Sequence, residues 1–91
     1  MKTITIEVNK KDIKKGIKHQ YNRCPIARAI RRTLSKAKKI AVGTDNIKFI
    51  LKKHLYYINS PPKAVKFMNN FDSGKQVKPI SFRLKFNDYC Y

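Results

Sequence analysis

Both ends of this chain alternate polar and apolar residues with almost no exception. Thr3-Ile4-Thr5-Ile6-Glu7-Val8 sets Ile4, Ile6 and Val8 on one face, and Ile80-Ser81-Phe82-Arg83-Leu84-Lys85-Phe86 does the same for Ile80, Phe82, Leu84 and Phe86. A side-chain period of two is that of a half-buried strand. Strands with one wet face belong to antiparallel sheets whose other face is covered, whereas parallel strands buried on both sides read as continuous apolar runs.

The segments between the two ends supply the cover. Asn9 is placed to cap a short helix over Lys10–Lys15, stopped by Gly16 at the C′ position, with Ile13 and Ile17 as core contacts. After a polar connection from Lys18 to Arg23, Pro25 fits the first position of a helix, where its missing N–H is not needed. That helix is expected to run to about Lys39. Its apolar stripe is Ile26, Ala27, Ile30, Leu34 and Ala37, and Arg28, Arg31, Arg32, Lys36 and Lys39 lie opposite. Strand-like pieces follow at Ile40–Val42, Ile47–Leu51 and Leu55–Ile58. The last two form a hairpin closed by Lys52-Lys53, a poor pair for a tight turn. Ser60-Pro61-Pro62 opens a second amphipathic helix with Ser60 as N-cap. Ala64, Phe67, Met68 and Phe71 recur along it at helical spacing, and Gly74 ends it. The expected fold is α+β: a small, mainly antiparallel sheet with helices on one face, ordered β-α-α-β-β-β-α-β, in one domain over residues 1–91. A core this small is thin, so assembly as a homo-oligomer is expected to add stability.

The chain carries 22 basic and five acidic residues, a formal net charge of +17. Such a charge repels itself, and an anionic partner relieves the repulsion. Lysine enrichment also follows from an AT-rich genome, so the arginines are the more telling signal. Four of the five, Arg23, Arg28, Arg31 and Arg32, fall between Asn9 and Lys39, where only Asp12 opposes twelve basic side chains. A guanidinium grips a phosphate with two parallel hydrogen bonds. The expected phosphate-binding set is therefore Arg23, Arg28, Arg31, Arg32, Lys36, Lys18 and His19. Tyr21 is expected to stack on a base, with Gln20 and Asn22 reading its edge. The plainer reading of these residues is a solvated helix face with an ordinary loop beside it.

Catalytic and metal chemistry find no support in the spacing. Cys24 and Cys90 form no CxxC or Cys/His pattern, and neither His19 nor His54 sits in a His-x-Thr/Ser motif. Neither a nucleophile–base pair nor a phosphate loop is recognisable, so no enzyme, catalytic residue, metal or cofactor is expected. Cys24, beside Arg23 at a helix start, has either a lowered pKa or, the better reading without a base nearby, a buried structural role. Tyr56, Tyr57, Tyr89 and Tyr91, with Phe49 and Phe86, offer a stacking platform for single-stranded nucleic acid, although alternation assigns about half of them to the core. The terminal Asn87–Tyr91 is read as packing on a neighbouring subunit. Met1–Val8 reads as a strand and not as a secretory leader, and no apolar run approaches the roughly 20 residues that span a bilayer. The expectation is a cytoplasmic protein with reduced thiols and no membrane contact.

Several blocks together resemble a widespread family of small phage and prophage proteins. They are Asp12-Ile13-x-x-Gly16, Cys24-Pro25-Ile26-Ala27-x-Ala29-Ile30, Pro61-Pro62-x-Ala64-Val65-x-Phe67, Phe71-Asp72-x-Gly74-Lys75-x-Val77-x-Pro79 and Phe82-x-Leu84. The Cys-Pro-Ile-Ala block is the most distinctive. The resemblance implies a phage origin and no settled activity. A looser likeness in size, charge and lack of catalytic residues links the chain to oligomeric phage proteins that sequester cyclic nucleotide immune signals. The leading expectation is therefore a non-enzymatic binding protein that captures an anionic nucleotide and counteracts host immune signalling. The alternatives are a sequence-independent DNA- or RNA-binding protein using the Asn9–Lys39 face, and an anti-CRISPR-like inhibitor of a host defence complex.

Overall fold

The computed structural model describes residues 2–86, with the side chains of residues 3–85. The chain is α+β, with its elements in the expected order: β1 (Lys2–Val8), α1 (Lys10–Lys15), α2 (Pro25–Thr33), β2 (Lys38–Val42), β3 (Asn46–Leu51), β4 (His54–Asn59), α3 (Pro62–Asp72) and β5 (Ile80–Phe86). The two alternating ends find each other. β1 and β5 pair antiparallel with Ile4 opposite Leu84, Ile6 opposite Phe82 and Val8 opposite Ile80. This register puts apolar against apolar on the face turned to α2. A slip of one residue would send the whole set to water.

All pairing is antiparallel, but the single expected sheet is divided in two, β1-β5 and β2-β3-β4. β4 and β5 lie side by side without a shared ladder. Pro61 lies two residues past the end of β4 and Pro79 immediately before β5, so neither position can donate a backbone hydrogen bond to extend pairing beyond its strand. Tyr57, Asn59, Arg83 and Lys85 line an open groove of about 400 Å³.

One core spans both sheets. Ile6, Ile26, Ile30, Ile47, Phe49 and Leu84 are fully buried within it. Each such side chain contributes roughly 1.5–3 kcal/mol relative to leaving it in water. Phe49 stacks on Tyr56 with ring centroids 5.4 Å apart.

Several local expectations need correction. α2 stops at Thr33, not near Lys39. Leu34 and Ala37 continue the apolar spacing, yet Thr33 turns its hydroxyl back to the Ala29 carbonyl (2.8 Å) and Ala37 closes a turn onto the Leu34 carbonyl. Thr and Ser compete with the helix backbone in this way. Ile17 is 42% exposed and only Ile13 packs against the core. Gly16 caps α1 at φ −68°, which any residue adopts. Glycine is needed there for space, because a Cβ would stand 2.6 Å from the Pro25 ring. Ser60 does not cap α3: its hydroxyl donates to the Gly43 carbonyl, and Pro61 occupies the cap position without a side-chain bond. Gly74, at φ +82°, does end α3. The Gly74 N–H donates to the Phe71 carbonyl and the Lys75 N–H to the Asn70 carbonyl, the paired bonds of a Schellman cap.

Candidate anion-binding clefts around Tyr21

The polar connection between α1 and α2 is a tied loop. The Ile17 N–H donates to the Arg23 carbonyl, and the Arg23 and Cys24 N–H groups both reach the Gln20 carbonyl. Outside the loop, the Val42 N–H of β2 donates to the Tyr21 carbonyl (2.8 Å) and the His19 N–H donates to Asp72 Oδ1 at the end of α3 (3.0 Å). A short loop fixed at both α3 and β2 holds its side chains in place over the rigid elements, the usual arrangement for a binding loop. Tyr21 stands at its crest, 64% exposed.

Two clefts flank this tyrosine. One, of about 290 Å³, has an apolar floor of Pro25, Val42, Phe67, Met68 and Phe71, with His19, Gln20, Tyr21 and Asp72 at its polar rim. Phe67 and Phe71 lie nearly parallel, at 7° and 6.2 Å between centroids. The other, of about 490 Å³, is lined by Tyr21, Asn22, Arg31, Lys38 and Lys39 with Ala37 and Ile40 beneath. Arg31 is fixed there by a bond from Nη2 to the Asn22 carbonyl (2.8 Å).

Each cleft contains a residue in left-handed backbone. His19 has φ +61° and Lys39 φ +53°. Lys39 falls where β2 gains one residue against β3, between the Lys38–Ile50 and Ala41–Lys48 pairs, the bulge position that favours glycine. A lysine there costs about 1–2 kcal/mol, and strain of this kind concentrates at functional sites.

The expected phosphate-binding residues separate into distinct groups. Arg31, with Tyr21 and Asn22, lines the basic cleft, and His19, Gln20 and Tyr21 line the apolar one. Arg23 and Lys36 are exposed and line neither. The Lys18 ammonium lies beside Gly74, past the end of α3. Arg28 and Arg32 turn toward Asp12, which is 4% exposed. Arg32 Nη2 donates to Asp12 Oδ2 (2.7 Å) and to the Glu7 carbonyl (2.7 Å), and Arg28 Nε lies 3.8 Å from Asp12 Oδ1. Arg28 Nε is buried and has no hydrogen-bond partner among the described residues. Asp12 also completes a reciprocal cap with Asn9, so one carboxylate closes the start of α1 and ties it to α2. These two arginines are committed to the fold.

The helix start is likewise occupied. Cys24 Sγ accepts the Ala27 N–H (3.4 Å) as N-cap of α2, and burial raises the thiol pKa above its ordinary value, only partly offset by the Ala27 and Ile26 amides. Of the two sequence readings of Cys24, the structural role fits this geometry. Helical spacing alone puts Lys38 and Lys39 at the end of α2, and the sequence signal for their place in a cleft is weak: only Thr33 and Ser35 hint that α2 ends early.

On the outer face of the β3–β4 hairpin, Tyr57 is 63% exposed. Asn46 Nδ2 donates to its hydroxyl (2.7 Å), and the Lys48 ammonium stands 5.8 Å from its ring centre. Phe49 and Tyr56 are core. Of the other platform residues, the Phe86 side chain and Tyr89 and Tyr91 lie outside the described residues, as do Cys90 and the terminal Asn87–Tyr91 segment. Among the described residues no three His, Cys, Asp or Glu side chains are placed to hold a metal ion, and no helix is long and apolar enough to cross a membrane. Comparison with protein-family models, curated proteins and solved structures gives no match to this chain.

Proposed function

We propose that this protein is a non-enzymatic binding protein that captures a phosphorylated, nucleotide-sized anion across Tyr21. What carries the reading is the pairing of an apolar cleft with a basic one on either side of a single exposed aromatic ring. The base enters over Phe67, Met68 and Phe71 and stacks on Tyr21, while the phosphates rest on Arg31, Lys38 and Lys39. Concave sites of a few hundred Å³ with few, fixed polar groups suit ligands of this size. Capture in the cytoplasm, assembly as a homo-oligomer, which the thin core favours, and a role in blunting a host immune signal, which the resemblance to phage proteins implies, are extensions of the proposal.

A thermal-shift panel at physiological salt tests this, comparing cyclic dinucleotides, mononucleotides and short DNA and RNA oligomers. A ligand at about 100 times its Kd adds roughly 2.7 kcal/mol of stability, so a small nucleotide should raise Tm by several degrees. Lys39→Gly removes a cation from the cleft while suiting the left-handed backbone, so it should cut nucleotide affinity without unfolding the protein. Unchanged affinity in both Lys39→Gly and Arg31→Gln rejects the site.

A second reading, sequence-independent nucleic-acid binding, is favoured by the ordered Tyr57 ring beside Lys48, Arg83 and Lys85. Base stacking on exposed aromatics beside cations is the chemistry of single-strand binders. It predicts oligomer affinity that falls steeply with salt, against a shallow slope for a small ligand with few phosphates.

A further inference from the structure

The acid at the apolar cleft is the least expected residue of the site. A surface built to hold anions has every electrostatic reason to exclude carboxylates, and only five acids accompany the 22 bases of the chain. Yet Asp72 lines the cleft. It also occupies the last residue of α3, where the helix dipole disfavours negative charge. Its Oδ1 accepts the His19 N–H (3.0 Å). Among the described residues, Oδ2 accepts no hydrogen bond.

A carboxylate in a base-binding cleft selects for a base edge rich in donors. Guanine presents two adjacent donors, N1–H and the exocyclic N2–H₂, which match the two oxygens of a carboxylate. Adenine offers one donor, N6–H₂, next to the N1 lone pair, which a carboxylate repels. Ionised Asp is acceptor-only, and each oxygen takes more than one hydrogen bond, so the His19 contact leaves capacity on both. Gln20, on the same rim, supplies an amide for the guanine O6. We infer that the apolar cleft reads guanine, and that the captured ligand is a guanine nucleotide whose base edge is held by Asp72.

This inference rests on the nucleotide-capture reading above, and the two fail in different ways. The experiment is isothermal titration of the full chain with 5′-GMP, 5′-IMP and 5′-AMP, and of the Asp72→Asn variant with the same three. A bidentate contact discriminates by about 1–3 kcal/mol, so GMP should bind the native protein at least about fivefold more tightly than AMP. IMP, which keeps N1–H and lacks the N2 amine, should fall between them. The Asp72→Asn side chain retains an acceptor for the His19 N–H and adds an amide donor, so the variant should fold, lose its preference for GMP and gain affinity for AMP. Equal binding of GMP and AMP to the native protein overturns the guanine assignment while leaving nucleotide capture standing, and needs no variant. An unchanged GMP-to-AMP ratio in Asp72→Asn overturns the role of Asp72. Failure of all three nucleotides to bind overturns the capture reading, and this inference with it.

Discussion

Arg31 and Arg32 are neighbours on one helix, both exposed and with the same guanidinium, and they serve opposite ends. Arg32 reaches Asp12 and the Glu7 carbonyl and fastens α2 to α1 and to the end of β1. Arg31 braces itself on the Asn22 carbonyl and faces a cleft lined by two lysines and a tyrosine. One buried acid makes the difference. Asp12 draws Arg28 and Arg32 toward itself and leaves Arg31 facing the cleft.

The strongest way to break this contrast is to remove the acid. Asp12→Ala leaves Arg28 and Arg32 without their carboxylate and opens the cap of α1. Chemical denaturation should show a loss of about 3 kcal/mol, with binding at the Tyr21 clefts little changed in the fraction that stays folded. Arg32→Ala should cost about 2 kcal/mol of stability, the scale of a charge-assisted bond, without reducing nucleotide affinity. Arg31→Gln should do the reverse, moving stability by less than about 0.5 kcal/mol and lowering affinity roughly tenfold or more. Equal effects of the two on both readouts would erase the distinction.

The lysines allow a second, smaller comparison. Lys52 and Lys53 close the β3–β4 hairpin at φ +53° and +66°, a turn that favours Asn-Gly. Replacing the pair with Asn-Gly should stabilise the fold by about 1–2 kcal/mol and leave nucleotide binding intact. Lys39→Gly relieves the same kind of strain but should weaken binding, which separates strain at a site from strain at a turn. The smallest expected effect concerns Cys24. Its thiol pKa lies above the ordinary 9.0 because burial disfavours the thiolate. A raised acid pKa means the folded state keeps its proton longer, so this contribution to stability is complete below the ordinary value and is lost as pH rises through the folded one. Cys24→Ser should flatten that alkaline decline, read from denaturation midpoints on either side of the ordinary thiol pKa.

The element order was legible because periodicity carries it. Ile4, Ile6 and Val8 against Phe82 and Leu84, and Phe67, Met68 and Phe71 before Gly74, are patterns that burial enforces. The end of α2 was not legible, since Leu34, Ala37 and Ile40 fit a continued helical face as well as they fit a turn and a strand. Nor was the sorting of the arginines. Positions 28, 31 and 32 share one helix flank, and which of them meets Asp12 depends on how α1 crosses α2, a tertiary fact with no local signature. The loop from Lys18 to Arg23 stands out in the sequence for its side-chain variety. Its two clefts required β2 and α3 to arrive beside it.

The two outer ties of that loop give it a measurable shutter. The Val42 amide proton is held by the Tyr21 carbonyl and the His19 amide proton by Asp72, so each exchanges with solvent deuterium when its own tie opens. Their exchange rates therefore clock the loop's own opening, separately from global unfolding. A molecule lodged on both sides of Tyr21 should slow the two clocks together.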